Sequence, residues 1–167
     1  VETFDLGLEV DGLFQVAKSM APEGATFSRD PLPEVKADRV AIIQVLQNLI
    51  ENAVKYRGDD SLKVHVSATH DDSLWAVSVA DNGTGIPAVS HELVFEPLRR
   101  LGPKGSDGTG LGLATCRKIM REHGGNVVLE SMACGTPALV SDVGGPSEIV
   151  HHNETGIVLP AGHLRRW

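Results

Sequence analysis

Leu6, Val10, Leu13, Val16, Ala17 and Met20 recur at steps of three and four, the spacing that lays one apolar stripe along a helix. Ala21-Pro22-Glu23-Gly24 supplies the turn residues that close this run. Short extended pieces are expected at 25–28 and 34–37. Asp38 then stands where an N-cap belongs, ahead of a strongly periodic run to Tyr56. Residues 62–69 and 74–79 alternate apolar and polar positions around His70-Asp71-Asp72-Ser73, which predicts an antiparallel hairpin. Glycine and proline dominate 81–87, and a second glycine-rich loop fills 102–110. Helical spacing returns over 111–123, with Gly124-Gly125 as its C-cap and a strand candidate at 126–130. The pattern predicts an α/β two-layer sandwich, with helices on one face of a mixed, mainly antiparallel sheet.

The helix ending at Tyr56 carries the first chemistry. At about 100° per residue, Ile42, Leu46, Leu49, Ile50 and Ala53 fall on one side, and Gln44, Asn48, Asn52 and Lys55 on the other. Asparagines four residues apart bring two neutral carbonyl oxygens near one point, and a hard cation such as Mg2+ takes oxygen ligands. Lys55, one turn on, is placed to meet a phosphate. A solvated polar face would have the same composition. Asp81 ends a strand with a carboxylate that can accept from the exocyclic amine of adenine, and Gly83 and Gly85 would let a ligand approach closely; an ordinary tight turn reads the same way. Residues 108–114 open a helix whose first amides suit phosphate.

Composition narrows the classes. The 167 residues suit one ordinary core with a small appendage, and 41% hydrophobic with 22% charged residues excludes a disordered chain. The net charge of -7 argues against a nucleic-acid partner. Cys116 and Cys134 form neither a disulfide framework nor a CxxC pair, which fits a reducing cytoplasm. The apolar runs fall well short of the roughly 20 residues a membrane helix needs, so no membrane contact is expected. Val1 opens without a basic-then-apolar leader, and the chain reads as a piece of something longer.

In their order, four segments resemble the boxes of the catalytic ATP-binding domains of sensor histidine kinases, in the GHKL superfamily. Residues 44–56 are similar to the N box, 81–87 to the G1 box, 94–100 to the F box and 108–114 to the G2 box. The resemblance covers residues 1–131 and implies the Bergerat fold, with ATP and Mg2+ held between helices and sheet. It makes Asn48 and Asn52 the Mg-ATP pair, with Asn52 the more direct metal ligand. Lys55 would touch phosphate, Tyr56 would border the nucleoside and Asp81 would receive the adenine amine. Gly83, Gly85 and Ile86 would shape the floor; Gly108, Thr109, Gly110, Leu111 and Gly112 would hinge a lid and lead into the phosphate-facing helix. Arg100 would reach the γ-phosphate, joining Asn48 and Lys55 in catalysis. Leu98 departs from the family, where an aromatic is usual.

The implied activity is transfer of the γ-phosphoryl to a histidine on a separate domain, expected upstream of Val1. Val89-Ser90-His91-Glu92-Leu93 resembles the phosphoacceptor motif, but the link to Phe95 is too short for a helical hairpin, so His91 is expected on a surface helix. Hydrolysing members of the superfamily carry a glutamate base where Asn48 stands, and the offset of Glu51 aims it beside the cation, so slow hydrolysis is expected. A monomer is expected, with strand exchange through the tail as the alternative.

Residues 132–167 form that tail. Together, 129–150 and 155–160 resemble the donor-nucleotide half of retaining GT-B glycosyltransferases, including a Glu-x7-Glu spacing at Glu122 and Glu130. Transfer of a sugar needs two Rossmann-like domains, which these residues cannot build. The chain therefore reads as a chimera. Residues 136–141 are expected to replace the kinase fold's last strand, with Pro137 at an edge, and 142–167 to be dispensable. Two alternative functions are a nucleotide-binding module without turnover and an inactive glycosyltransferase-like chimera.

Overall fold

The computed structural model describes residues 1–70, 74–99, 109–129 and 155–160. Strand β1 (Glu2–Asp5) runs directly into helix α1 (Leu6–Met20). Asp5 caps that helix, its carboxylate accepting from the Leu8 N–H at 3.1 Å. Strands β2 (Thr26–Arg29) and β3 (Glu34–Ala37) precede α2 (Arg39–Lys55), which Asp38 caps through the Ala41 N–H at 3.1 Å. The hairpin of β4 (Lys63–His70) and β5 (Leu74–Asp81) follows. Two single turns of 3-10 helix, Ala88–Ser90 and Leu93–Phe95, lead toward α3 (Gly112–Glu122), then β6 (Asn126–Leu129) and β7 (Thr155–Pro160).

Five strands form one sheet in the order β2-β4-β5-β7-β6, with β2 and β4 parallel and the other neighbours antiparallel. β1 and β3 pair separately as a small antiparallel ribbon. The register sets Val66 opposite Val79 and Ala68 opposite Val77, so one face of the hairpin is apolar where the helices land on it. Ile42, Val45, Leu46, Leu49, Ile50, Ala53 and Val54 of α2 are all buried there. Each large aliphatic among them contributes roughly 1.5–3 kcal/mol by leaving water. Cys116, Ile119 and Met120 of α3 join the same core.

The stripe of α1 is turned from its expected setting. Leu6, Val10, Phe14 and Ala17 are buried, whereas Val16 and Met20 are exposed at a shallow groove between α1 and α2. Phe14 wins because its ring reaches Phe27 of β2, with centroids 5.5 Å apart. His91 is likewise no surface helix residue: it lies half-buried in a turn, with its Nε2 3.1 Å from the Ile86 carbonyl oxygen.

The tail supplies an interior strand. β7 pairs along one side with β5, from Leu74↔Pro160 to Val79↔Thr155, and along the other with β6. The sheet's late strand is thus Thr155–Pro160, and 136–141 lie outside the described residues. This pairing argues against the expectation that 142–167 are dispensable, because among the described residues β7 joins β6 to the rest of the sheet. A chain ending at residue 153 should melt several degrees lower and aggregate, as it bares an edge on β5 and leaves β6 without a sheet partner. Ile157→Pro, which removes one ladder N–H from an interior strand, should move the melting curve the same way. A thermal melt unchanged in both variants would refute the interior role of β7.

Candidate functional site

The half-buried side of α2 collects three of the predicted residues. Asn48, Asn52 and Lys55 are each half-buried on that side, while the apolar face is locked in the core. Lys55 bends back, its Nζ 4.8 Å from the centroid of the exposed Tyr56 ring, a cation–π contact at the end of the helix. Tyr56 is the C-cap, its N–H donating to the Asn52 carbonyl at 2.8 Å.

The loop after β5 is clamped to this helix end. The Tyr56 carbonyl accepts from both the backbone N–H of Thr84, at 2.9 Å, and its hydroxyl, at 3.2 Å. Gly83 lies so close that a Cβ there would sit 2.6 Å from the same carbonyl oxygen and 2.7 Å from Asp81 Oδ1, which no side chain could do without moving backbone. Asn82 ties the loop's other flank, accepting from the Lys63 N–H at 2.7 Å and donating to the Ser61 carbonyl at 2.9 Å. Gly85 and Ile86 continue the floor, with Ile86 packed against the core.

Asp81 is the charged centre of this corner. It ends β5 and accepts the Gly83 N–H at 2.7 Å. Burial pushes its carboxyl up to about 6, even though the Gly83 N–H works in the opposite direction.

On the other flank, α3 crosses α2 at Asn48. Gly112 opens α3 so close that a Cβ would be 3.5 Å from Asn48 Oδ1. Leading into it, Thr109 is exposed, its Oγ1 3.4 Å from the Leu111 N–H, and Leu111 is also exposed. Gly110 has φ 70, and a Cβ on it would lie 2.7 Å from the Arg99 carbonyl oxygen. Its own carbonyl accepts from the Leu98 N–H at 3.0 Å, which zips together the two ends of the 100–108 segment. Leu98 meets this contact with φ 65, a left-handed conformation costly for a leucine. Arg100 and Gly108 lie outside the described residues.

Three residues at the site escaped the sequence reading. Cys116 is buried beneath Asn48, and burial pushes its thiol up to about 12. Asn82 latches the loop, a role its Asp-Asn-Gly setting could have signalled as turn chemistry. Arg117 binds Glu92 at 2.8 Å and stacks its guanidinium over Phe95, 4.5 Å from the centroid, which pins the turns after the loop to α3. Glu51 stands apart from all of these: it is exposed, accepts from Gln47 Nε2 at 2.7 Å and lines the groove beside α1.

Comparison with known proteins gives the family and the fold. The family model described as histidine kinase-, DNA gyrase B-, and HSP90-like ATPase matches residues 37–150. Cyanobacterial phytochrome A of Nostoc sp. is 38% identical over 120 residues, 71% of this chain and 16% of that protein. The alginate biosynthesis sensor protein KinB of Pseudomonas aeruginosa is 36% identical over 102 residues, 61% of this chain and 17% of that protein. The chain thus spans about a sixth of these relatives. The mycobacterial sensor histidine kinase MprB shares the fold at a TM-score of 0.74 and 23% identity, over 95% of this chain and 97% of that one. The catalytic domain of histidine kinase ThkA matches at 0.69 and 27%, over 95% of each chain. Full-length ShkA in complex with AMPPNP matches at 0.67 and 27%, over 96% of this chain and 31% of that one. The family match covers more than half of the chain, and the chain belongs to the histidine kinase-, DNA gyrase B-, and HSP90-like ATPase family, as an ATP-binding catalytic domain of the sensor histidine kinase type.

Proposed function

We propose that this domain holds Mg-ATP between α2, the 81–86 loop and the first turn of α3, and donates the γ-phosphoryl to a histidine of a separate domain. The observation that carries the reading is Asp81, a carboxyl kept partly buried against its own desolvation beside a loop too tight for any residue but glycine at 83. A carboxylate in that setting offers an acceptor to the exocyclic amine of adenine, whereas guanine would present a carbonyl oxygen there and be repelled.

The donors suit a nucleotide-borne cation. Asn48 and Asn52 offer neutral carbonyl oxygens, and among the described residues no cluster of three His, Cys, Asp or Glu could hold a metal without help. A cation here would take most of its ligands from phosphate oxygens and water, as Mg2+ does. Bound in this way it would neutralise charge on the transferring phosphoryl group. Lys55 leaves the Tyr56 ring to meet phosphate, and Arg100 completes the set at the γ-phosphate. In the transfer, an imidazole nitrogen of the acceptor forms the bond to γ-phosphorus as the bond to the β,γ-bridging oxygen breaks, and ADP departs. The chain's part is to position and stabilise charge. A cytoplasmic setting fits this chemistry, and no described helix is long and apolar enough to cross a membrane.

Water is a poor substitute for the histidine. Asn48 has no usable basicity, and Glu51 is engaged with Gln47 on the α1 side of the helix.

Calorimetric titration tests the site. Asn52→Ala should weaken Mg-dependent ATP binding about 10- to 100-fold, as expected for loss of a metal-orienting group. Asp81→Asn should weaken ATP about tenfold or more and narrow its preference over GTP. Parent-like binding in both variants would refute the assignment.

Asp81 also sets a pH dependence. Its folded-state value of about 6 lies above the ordinary value of an aspartate, so the nucleotide-free fold keeps a proton that the unfolded chain has released between about pH 4 and 6. Stability from this group is full below that window and is lost as pH rises through about 6. In urea melts, Asp81→Asn should gain stability relative to the parent across the window and stay ahead above it. A parent-minus-variant difference that is flat with pH would contradict the buried carboxyl.

Phosphate release from ATP by the isolated chain should be far slower than ~1 per second, the low end for working enzymes, and a phosphoacceptor domain added in trans should become labelled. Steady release near that rate, abolished by Glu51→Gln, would make the chain an ATPase in its own right.

A further inference from the structure

The 81–86 loop and the first turn of α3 are each fastened to α2, and a further path joins them to one another. It starts at the Ile86 carbonyl, which accepts the Nε2–H of His91 at 3.1 Å. The turn that carries His91 is closed on itself, the Ser90 N–H donating to the Pro87 carbonyl at 2.8 Å, and its far end is sunk in the core by Val94 and Phe95. Glu92, the next residue, accepts from Arg117 Nη2 of α3 at 2.8 Å, and the same guanidinium lies over the Phe95 ring, 4.5 Å from its centroid. Arg117 thus grips the turn twice, by charge at its rim and by stacking at its root. Its Nε–H meanwhile is buried and finds no acceptor among the described residues. Stability alone would favour an apolar side chain over a buried donor without a partner, so the hold on Glu92 is what sets arginine apart at this position.

We infer that Arg117 is a positioning residue: by strapping the 86–95 turn to α3, it fixes the spacing between the loop that receives the base and the helix start that receives phosphate. The inference deepens the reading of this corner as a nucleotide site and rests on it. A ligand that meets only the Asp81 loop gains nothing from a fixed spacing. One that reaches from the loop to α3 must otherwise immobilise that spacing itself and loses affinity in doing so, which is the advantage of preorganisation. Adenosine and ADP differ in this respect, because only ADP carries phosphates to α3. The Glu92 side chain is 82% exposed, so water screens the ion pair and its share is small, whereas the guanidinium is only 23% exposed over its ring. Together the two holds suit an effect of about threefold to tenfold on the affinity of the longer ligand.

The test uses the full chain in Mg2+ buffer, with ADP affinity measured by calorimetry and adenosine affinity by nuclear magnetic resonance titration. Arg117→Met keeps an unbranched stem for the Phe95 ring while removing the ion pair and the unpartnered donor, so its melting temperature should stay close to the parent's. Its dissociation constant for ADP should rise about fivefold, and that for adenosine should stay within about twofold of the parent. Glu92→Ala, at an exposed position, should raise the ADP value about threefold. The double variant should be no weaker than Arg117→Met alone, because both changes cut the same link. An unchanged ADP affinity in Arg117→Met, equal losses for ADP and adenosine, or losses that multiply in the double variant would each overturn the inference and leave Arg117 a packing residue. If Arg117→Met fails to fold, Glu92→Ala decides, and an unchanged ratio of ADP to adenosine affinity there overturns the inference. A parent chain that binds neither ligand defeats the nucleotide reading itself, an outcome distinct from a narrowed ratio with adenosine binding intact.

Discussion

The apolar face of α2 fixes the geometry of everything around it. Leu46 and Ile50 are essentially inaccessible to water, and Ile42 and Ala53 lie on the same side, so the helix cannot roll about its axis without exposing them. Asn48 and Asn52 inherit that rigidity although neither is itself a core residue. The flanks are fastened by different means. On one, the Tyr56 carbonyl takes two hydrogen bonds from Thr84 and draws the 81–86 loop against the helix end. On the other, Cys116 and Gly112 seat α3 against the middle of the helix. A stiff helix with two separately attached flanks keeps its polar side fixed in place without the core being disturbed.

Stability is given up at several points around α2 and the loops that flank it. Asp81 is held where its charge is disfavoured, Leu98 adopts a backbone conformation costly for its type, and Gly83 and Gly110 are confined by backbone contacts that leave no room for a side chain. Sites of this kind are where a sequence departs from what folding alone would select. Leu98 and Gly110 illustrate it, meeting through one backbone hydrogen bond although both hold positive φ.

Much of the fold was legible in the sequence where one signal sufficed. Asp38 announced α2, alternation announced the β4–β5 hairpin, and the polar stripe of Asn48, Asn52 and Lys55 emerged on the side of α2 that the core leaves half-open. What stayed hidden depended on partners distant in the chain. β1 is a four-residue strand whose only cue is its pairing with β3, and the burial of Phe14 in place of Val16 depends on the ring of Phe27. Cys116 entered the sequence reading only as a thiol outside any CxxC pair, because its contact with the Val45 carbonyl exists only where α3 crosses α2. The strand that joins β6 to β5 is Thr155–Pro160, far along the chain from both, and distance along the chain carries only a weak, logarithmic entropy cost, so no local signal marks it.

That placement bears on how the domain is made. β7 is the last described strand in the chain, yet it occupies an inner row of the sheet between β5 and β6. During synthesis the chain emerges from its N-terminal end, so α1, α2 and the β4–β5 hairpin can assemble while the strand destined for their open flank is still inside the ribosome. Until it arrives, β5 displays an unpaired ladder of N–H and C=O groups, and β6 waits with nothing to join. The nascent domain therefore passes through a stage in which α2 and the loop after β5 are assembled but its sheet is open, a window for chaperones and for pairing with a neighbouring nascent copy on the same message.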